Sequence, residues 1–486
     1  MSANCTDLAG NASETATVPE FTIDLTTPVI SVSYDNNNAT NGNYYKAERT
    51  ATITIEEHNF NSGNVSTTIT AELDGESIDV PVVSEWASNG DTHTATVRYP
   101  GDGDYTFNIS YVDQAGNTAS EYKGDAFTVD KTNPELTISG VQDKSANNGT
   151  VAPVINASDI NFNSDNLTWT LTGVNNPDVD ASGLVMINAT EQSATITFSN
   201  FPEGMDDIYT LTAKAVDAAG NETTKSITFS VNRDGSTYII NESTQKLIDK
   251  QITNNPQDIV ITEINVDTLE FIELSYTKDG QVIKLEEGKD YTVEEAGGDG
   301  QWKQYTYTIK ATAFSEEGEY SINIYSEDTA TNSSTNKAKE MIIDFIVDKT
   351  APTVAVANLE DMGRYQEEAH EFNVTVKDNA VLAKLEIYRD GELWQSIEGT
   401  NLLTPEGYLT ISLPEAGQYQ DIELIAYDAA GNVTEPLDYR VLVTSNGWIQ
   451  FYNNKPLFGG SIAGVAAVGG VIAFLIAKRK KKEEDK

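Results

Sequence analysis

Three observations predict an all-β fold: a linear array of small two-sheet sandwiches, followed by one C-terminal membrane-crossing helix. The pentapeptide Asp-x-Ala-Gly-Asn recurs at Asp7, Asp113, Asp217 and Asp428, and a degenerate copy, D-T-A-T-N, begins at Asp328. Successive copies lie 106, 104, 111 and 100 residues apart. That period is too long for a solenoid unit and fits one small domain, or bead, per repeat. Polar and apolar residues alternate on either side of most copies, the pattern of strands with one buried face. Finally, Leu457 to Ala477 carries no charge and is long enough to cross a bilayer once.

The strands follow from the alternation. Tyr105, Phe107, Ile109 and Tyr111 lead to Asp113; Tyr209, Leu211, Ala213 and Ala215 lead to Asp217; Tyr320, Ile322 and Ile324 lead to Asp328. After the pentapeptides come Phe21 and Ile23, Phe127 and Val129, Ile227 to Val231, and Ile343 to Val347. Gly and Asn tolerate positive φ, so Ala-Gly-Asn between two such runs is a turn between a bead's last two strands. Ala51 to Glu56 and His93 to Tyr99 read as earlier strands of a bead, and only the C-terminus keeps helical periodicity for long. A Tyr stands eight residues before the Asp in three beads. In the last it is Tyr419, nine before Asp428, which predicts a one-residue bulge. Tyr at the start of the penultimate strand resembles the tyrosine corner of immunoglobulin-like sandwiches.

An Asp followed by Pro closes three of the second runs: D-L-T-T-P from Asp24, D-K-T-N-P from Asp130 and D-K-T-A-P from Asp348. Proline cannot donate to a ladder and marks the exit toward the next bead. The expected layout is 1–24 as the last two strands of an incomplete sandwich, then beads at 25–130, 131–233, 234–348 and 349–445. A juxtamembrane linker (446–456), a transmembrane helix (457–477) and a basic cytoplasmic tail (478–486) complete it. The incomplete first bead, with no signal peptide before it, reads as the C-terminal part of a longer surface protein.

Charge and cysteine content narrow the function. The chain holds 75 acids against 31 Lys plus Arg, a net charge of -44. Such a surface repels nucleic acid and attracts divalent cations. A single cysteine, Cys5, excludes an intrachain disulfide framework. The bases Lys478 to Lys482 flank the hydrophobic run as a cytoplasmic stop-transfer signal, with Trp448, Phe451 and Tyr452 on its outer side. This layout resembles wall-anchored proteins of Gram-positive bacteria. The segment K-P-L-F-G-G from Lys455 lacks the Thr-Gly of their sorting motif, so a plain membrane anchor is expected. No H-E-x-x-H, G-x-S-x-G or phosphate loop is present, and no active site is expected.

Aligned beads share a second acid near the end of the second strand: Glu57, Asp159, Glu263 and Asp378. In an immunoglobulin-like sandwich the loop after that strand and the pentapeptide turn lie at the end where the chain enters. The expected junction sets are Asp24, Glu57 and Asp113; Asp130, Asp159 and Asp217; and Asp348, Asp378 and Asp428. The remaining junction offers Glu263 and Asp328 with Asn232 or Asp234. Three packed carboxylates suit a hard cation, and Ca²⁺ takes six to eight oxygen ligands. Asn59, Asn161 and Asn265 stand two residues beyond the loop acids as further oxygen donors. An Asp at a strand end also caps turns by accepting N–H bonds, and sequence alone leaves both roles open.

The runs R-T-A-T-I-T-I-E-E-H-N-F from Arg49, G-D-Y-T-F-N-I-S-Y-V-D-Q-A-G-N from Gly103 and F-I-V-D-K-T-A-P from Phe345 resemble bacterial immunoglobulin-like repeats of large surface proteins and adhesins. The resemblance extends over almost all of residues 1–445. It implies a non-enzymatic stalk, with calcium at domain junctions in some members, projecting an upstream head from the membrane. At about 3.3 Å per residue, a bead is roughly 40 Å long and four in line span roughly 160 Å. Two rival readings stand beside it. One is a glycan- or host-protein-binding module in the third bead, where Trp302, Tyr305 and Tyr307 cluster. The other is the accessory stalk of an extracellular carbohydrate-active enzyme.

Overall fold

The computed structural model describes residues 1–402, 408–460 and 463. It divides into two compact units, Met1–Asp234 with Asp299–Trp302, and Gly235–Gly298 with the chain from Lys303 onward.

In the first unit, strand Arg49–Glu56 shows how alternation becomes a core. Its Ala51, Ile53 and Ile55 are fully buried while the intervening threonines stay partly exposed. Each such isoleucine contributes about 1.5–3 kcal/mol by leaving water. The strand is central in a sheet ordered Val29–Tyr34, Arg49–Glu56, Thr92–Tyr99, Ala87–Asn89. The facing sheet runs Tyr44–Tyr45, Phe127–Val129, Gly103–Tyr111, Val65–Leu73, Glu76–Ser77, with Tyr122–Lys123 also paired to Gly103–Tyr111. Tyr44–Tyr45 lies parallel to the last strand, and every other pairing here is antiparallel. The second bead repeats the plan with sheets of four strands (Glu135–Ser139, Val154–Ser158, Ser193–Phe198, Val185–Ala189) and three (Thr168–Gly173, Asp207–Val216, Glu222–Val231).

The second unit holds two more sandwiches, centred on Ile259–Asn265 and Gly318–Asp328, and on Ala369–Lys377 and Gln420–Asp428. Among the described residues there are four separate cores, drawn from residues 30–129, 136–231, 238–347 and 354–443.

The tyrosine corner is present in three beads. The hydroxyls of Tyr105, Tyr209 and Tyr320 donate to the carbonyls of Gly101, Met205 and Glu316, at 3.0, 2.7 and 2.8 Å. In the fourth bead the expected bulge at Tyr419 does not occur. Gln420 takes the buried position, its Nε2 donating to the Pro414 carbonyl at 3.2 Å, and alternation then runs unbroken to Asp428. The register shift lies instead on the neighbouring strand, between Leu382 and Lys384.

Two further expectations are corrected. Phe21 and Ile23 lie outside any strand and are exposed, because no second sheet covers them; the pairing in this segment is Ser2–Ala3 with Ala16–Thr17. The third bead also contains a helix, Glu242–Lys250. Asn241 caps it by accepting from the Thr244 N–H at 2.8 Å, and Leu247 and Ile248 pack on the core. Among the described residues no helix is long and apolar enough to cross a membrane. The expected span 457–477, apart from residues 457–460 and 463, and the tail 478–486 lie outside the described residues.

Candidate metal centres at the bead junctions

The pentapeptide turn is built around its own first and last residues. Asn117 donates its N–H to Asp113 Oδ1 at 2.8 Å and its amide to Oδ2 at 2.7 Å. Asn221 does the same to Asp217 (2.8 and 2.9 Å), and Asn432 to Asp428 (2.7 and 2.7 Å). The same amide also reaches the carbonyl of the incoming linker acid: Asn117 to Asp24 at 3.3 Å, Asn221 to Asp130 at 3.0 Å and Asn432 to Asp348 at 3.0 Å. The Asn thus ties the turn to the chain that enters the bead.

The linker acid folds back on itself. Oδ1 of Asp24, Asp130 and Asp348 accepts from the N–H two residues on, Thr26, Thr132 and Thr350, at 2.9, 3.1 and 3.1 Å. The loop acids are set likewise: Glu57 accepts from the Asn59 N–H, Asp159 from Asn161 and Asp378 from Ala380, at 2.7, 2.8 and 2.9 Å. As a result Asp24, Glu57 and Asp113 converge, as do Asp130, Asp159 and Asp217, and Asp348, Asp378 and Asp428. Within each trio one oxygen per residue lies within 4.8 Å of the others. Asp130 and Asp348 directly follow one bead's last strand while the other two acids of their trios belong to the next bead, so those trios span a junction; Asp24 lies in the irregular segment that leads into the first bead.

Asn59 and Asn161 point their amide nitrogens, rather than oxygens, at the linker acid, donating to Asp24 and Asp130 at 2.8 and 2.9 Å. They brace the acid. Asn379 has the equivalent role, donating to Asp348 at 3.2 Å.

Burial shapes the electrostatics of the second and third trios. Burial pushes the Asp130 carboxyl up to about 6, with Asp217 and Asp159 adding repulsion against the Asn161 and Thr132 hydrogen bonds. Burial also raises Asp159 and Asp378. Asp24 is lowered, chiefly by the Asn59 amide. Glu57 Oε2, Asp348 Oδ2 and Asp378 Oδ1 are buried and lack a hydrogen-bond partner, although Glu57 is 4% and Asp348 1% exposed. A buried carboxylate oxygen without a donor is costly, and a hard cation with oxygen ligands satisfies that deficit.

The third bead departs from the expectation. Glu263 is fully buried inside its own sandwich, accepting from Tyr238 at 3.2 Å, from Tyr307 at 2.6 Å and from Ser326. Hydroxyl donors within the bead satisfy its oxygens. Burial, reinforced by the Glu263 charge, raises the phenols of Tyr307 and Tyr238. Asp328 holds Asn332 through both oxygens (2.9 and 3.0 Å) and accepts from Asn265, whose amide also donates to Ser236. Tyr305 and Tyr307 are core residues, 3% and 0% exposed, so the aromatic cluster around Trp302 offers no open stacking platform from them.

One recurrent group is not apparent from the motif alone. An acid three residues before each corner tyrosine clamps the bead's exit. Asp102 accepts from the Lys131 N–H and the Thr132 hydroxyl (2.9 and 2.5 Å), and Glu317 from the same groups of Lys349 and Thr350 (2.8 and 2.7 Å). Asp206 accepts from the Arg233 N–H at 2.6 Å. The basic side chain then caps a carbonyl behind it: Lys131 on Pro100, Lys349 on Ser315 and Arg233 on Phe201. The sequence signal is the acid at that fixed offset before the Tyr.

Residues 96–233 and 302–387 match the family described as Bacterial Ig-like domain (group 3), and residues 51–131 match one described as Bacterial Ig-like domain. No curated protein matches the chain. Among solved structures, the N-terminal eight Ig domains of Down Syndrome Cell Adhesion Molecule are similar at 14% identity and a TM-score of 0.31, covering 86% of this chain and 49% of that one, about half its length. The ICAM-5 D1–D4 ectodomain fragment gives 10% identity and 0.27, over 85% of this chain and 100% of that one. The fibronectin(III)-like modules of Clostridium thermocellum CbhA give 14% and 0.23, over 43% and 94%. The chain is a repeat protein built of bacterial Ig-like domains.

Proposed function

We propose that this chain is the non-enzymatic stalk of a bacterial surface adhesin, stiffened by calcium at its bead junctions and carrying an upstream head away from the membrane. The observation that supports the reading best is the recurrence of one junction design. Three times a linker acid, a loop acid and a pentapeptide Asp meet within 4.8 Å. In each case the pentapeptide Asn also holds the linker carbonyl. Ca²⁺ would be held by Asp24, Glu57 and Asp113; by Asp130, Asp159 and Asp217; and by Asp348, Asp378 and Asp428. It would supply positive charge that offsets their mutual repulsion, joining two beads through ligands from both at the Asp130 and Asp348 trios and tying the entering segment to the first bead at the Asp24 trio. The protein's own part is to pre-place the acids through tight side-chain-to-backbone turns and to hold the linker residues after Val129 and Val347 through Asp102 and Glu317. The membrane anchor rests on the uncharged run 457–477 and the basic residues after it.

The test is a thermal melt and a scattering measurement on the full chain, each with calcium and with chelator. A higher melting temperature and a longer maximum dimension with calcium support the reading; identical curves overturn it.

A further inference from the structure

Each bead that carries the short strand parallel to its last strand places the next residue against whatever follows the bead. Those short strands are Tyr44–Tyr45, Ile252–Thr253 and Arg364–Tyr365. The residues after them are Lys46, Asn254 and Gln366. Lys46 Nζ donates to the carbonyl of Gly220 at 2.9 Å, in the pentapeptide turn of the next bead. Asn254 donates its N–H to the Ala430 carbonyl at 3.3 Å and its amide to Asn432 Oδ1 at 3.1 Å, again in the next bead's turn. Lys250 Nζ adds a bond to the same Ala430 carbonyl at 3.3 Å. In the last bead Gln366 lies against Gly447, where a β-carbon would stand 3.5 Å from its side-chain nitrogen. Gly447 opens the short helix Gly447–Asn453, and Gln450 of that helix donates to the Tyr365 carbonyl at 2.8 Å.

The turn is shaped for this contact. A β-carbon at Gly220 would stand 2.8 Å from Thr40 Cγ2 of the preceding bead, and one at Gly431 would meet Asn254 at 3.6 Å. Gly116 in the first bead's turn has nothing within 4 Å. Both glycines also sit at positive φ, +85° and +104°, so the position favours glycine twice over, for conformation and for clearance.

We propose that the residue following the short parallel strand is a latch that sets the orientation of the next module without any cation. The partners of Lys46 and Asn254 are main-chain carbonyls and an amide oxygen. None of the trio carboxylates takes part, so chelation leaves the latch in place. The proposal is therefore independent of the calcium reading: the first predicts order in chelator, the second predicts added order with calcium.

The experiment uses the full chain with Cys5→Ser and pairs of spin labels at Thr68→Cys with Asn188→Cys, or Gln281→Cys with Ser396→Cys, read as distance distributions by double electron–electron resonance in chelator. In the parent each pair gives a narrow distribution. Lys46→Ala is expected to broaden the first about twofold, and Lys250→Ala with Asn254→Ala the second, as befits loss of one exposed or two part-buried hydrogen bonds. Lys46→Arg, which keeps a donor, restores the narrow form. Lys46 is exposed, so its replacement leaves the cores intact. Distributions unchanged by the alanine variants, or already broad in the parent, overturn the latch. Narrowing of the alanine variants on adding calcium reports the cation separately.

Discussion

The side-chain amide of Asn221 donates both to Asp217 Oδ2, at 2.9 Å, and to the main-chain carbonyl of Asp130, at 3.0 Å. One buried side chain, 1% exposed, thus holds a turn of the second bead and the strand end of the first. Asn221→Ala removes the donor to Asp217 Oδ2 and to the Asp130 carbonyl, while the main-chain N–H to Asp217 Oδ1 remains. It is expected to destabilise the chain by about 1–3 kcal/mol, measured by denaturant unfolding. A loss below about 0.5 kcal/mol would show that the turn needs no such tie.

Asp130→Asn is expected to change sign with calcium. A carboxyl whose folded pKa is raised binds its proton more tightly when folded. Its contribution is favourable at low pH, fades as pH rises from about 4 toward about 6, and above that the buried charge is a net cost. In chelator at pH 7 the neutral variant should be more stable by about 1–2 kcal/mol, after discounting for solvent screening. The gain should close as pH falls through 6 toward 4. In calcium the variant should be the less stable of the two, because a ligand is gone. Melting both proteins across pH, with and without the cation, checks all three statements.

Tyr307→Phe removes the 2.6 Å donor to Glu263 and leaves a fully buried carboxylate short of a partner. A loss of about 1–3 kcal/mol is expected in the third bead, read by hydrogen exchange of strands Ile259–Asn265 and Lys303–Ile309. The loss should be the same with calcium and with chelator. A calcium-dependent loss would place Glu263 in a cation site after all.

The fold was largely legible because its rules are local. Alternation at Tyr105 to Tyr111 and the Gly-Asn turn need only neighbouring residues, and the structure buries those same side chains. The trios were legible because an acid recurs at three matching places, the incoming linker, the loop after the second strand and the pentapeptide turn. What was missed depends on tertiary partners. Glu263 aligns with Glu57, yet Tyr238, Tyr307 and Ser326 supply hydroxyls that draw it inward. Gln420 replaces a tyrosine because burial and one carbonyl bond suffice at that corner. The helix Glu242–Lys250 is short, so its Asn241 cap and the Leu247–Ile248 pair were hidden in a polar run. Asp102 and Glu317 act on residues some thirty positions away, beyond any local pattern.

The central claim, that calcium joins the beads through the three trios, is tested most directly by calorimetric titration of the chelator-treated full chain with calcium. Three ions bound per chain are predicted, one for each carboxylate trio. Asp113→Asn, Asp217→Asn and Asp428→Asn should each remove one. No binding, or binding that survives all three substitutions together, would contradict it.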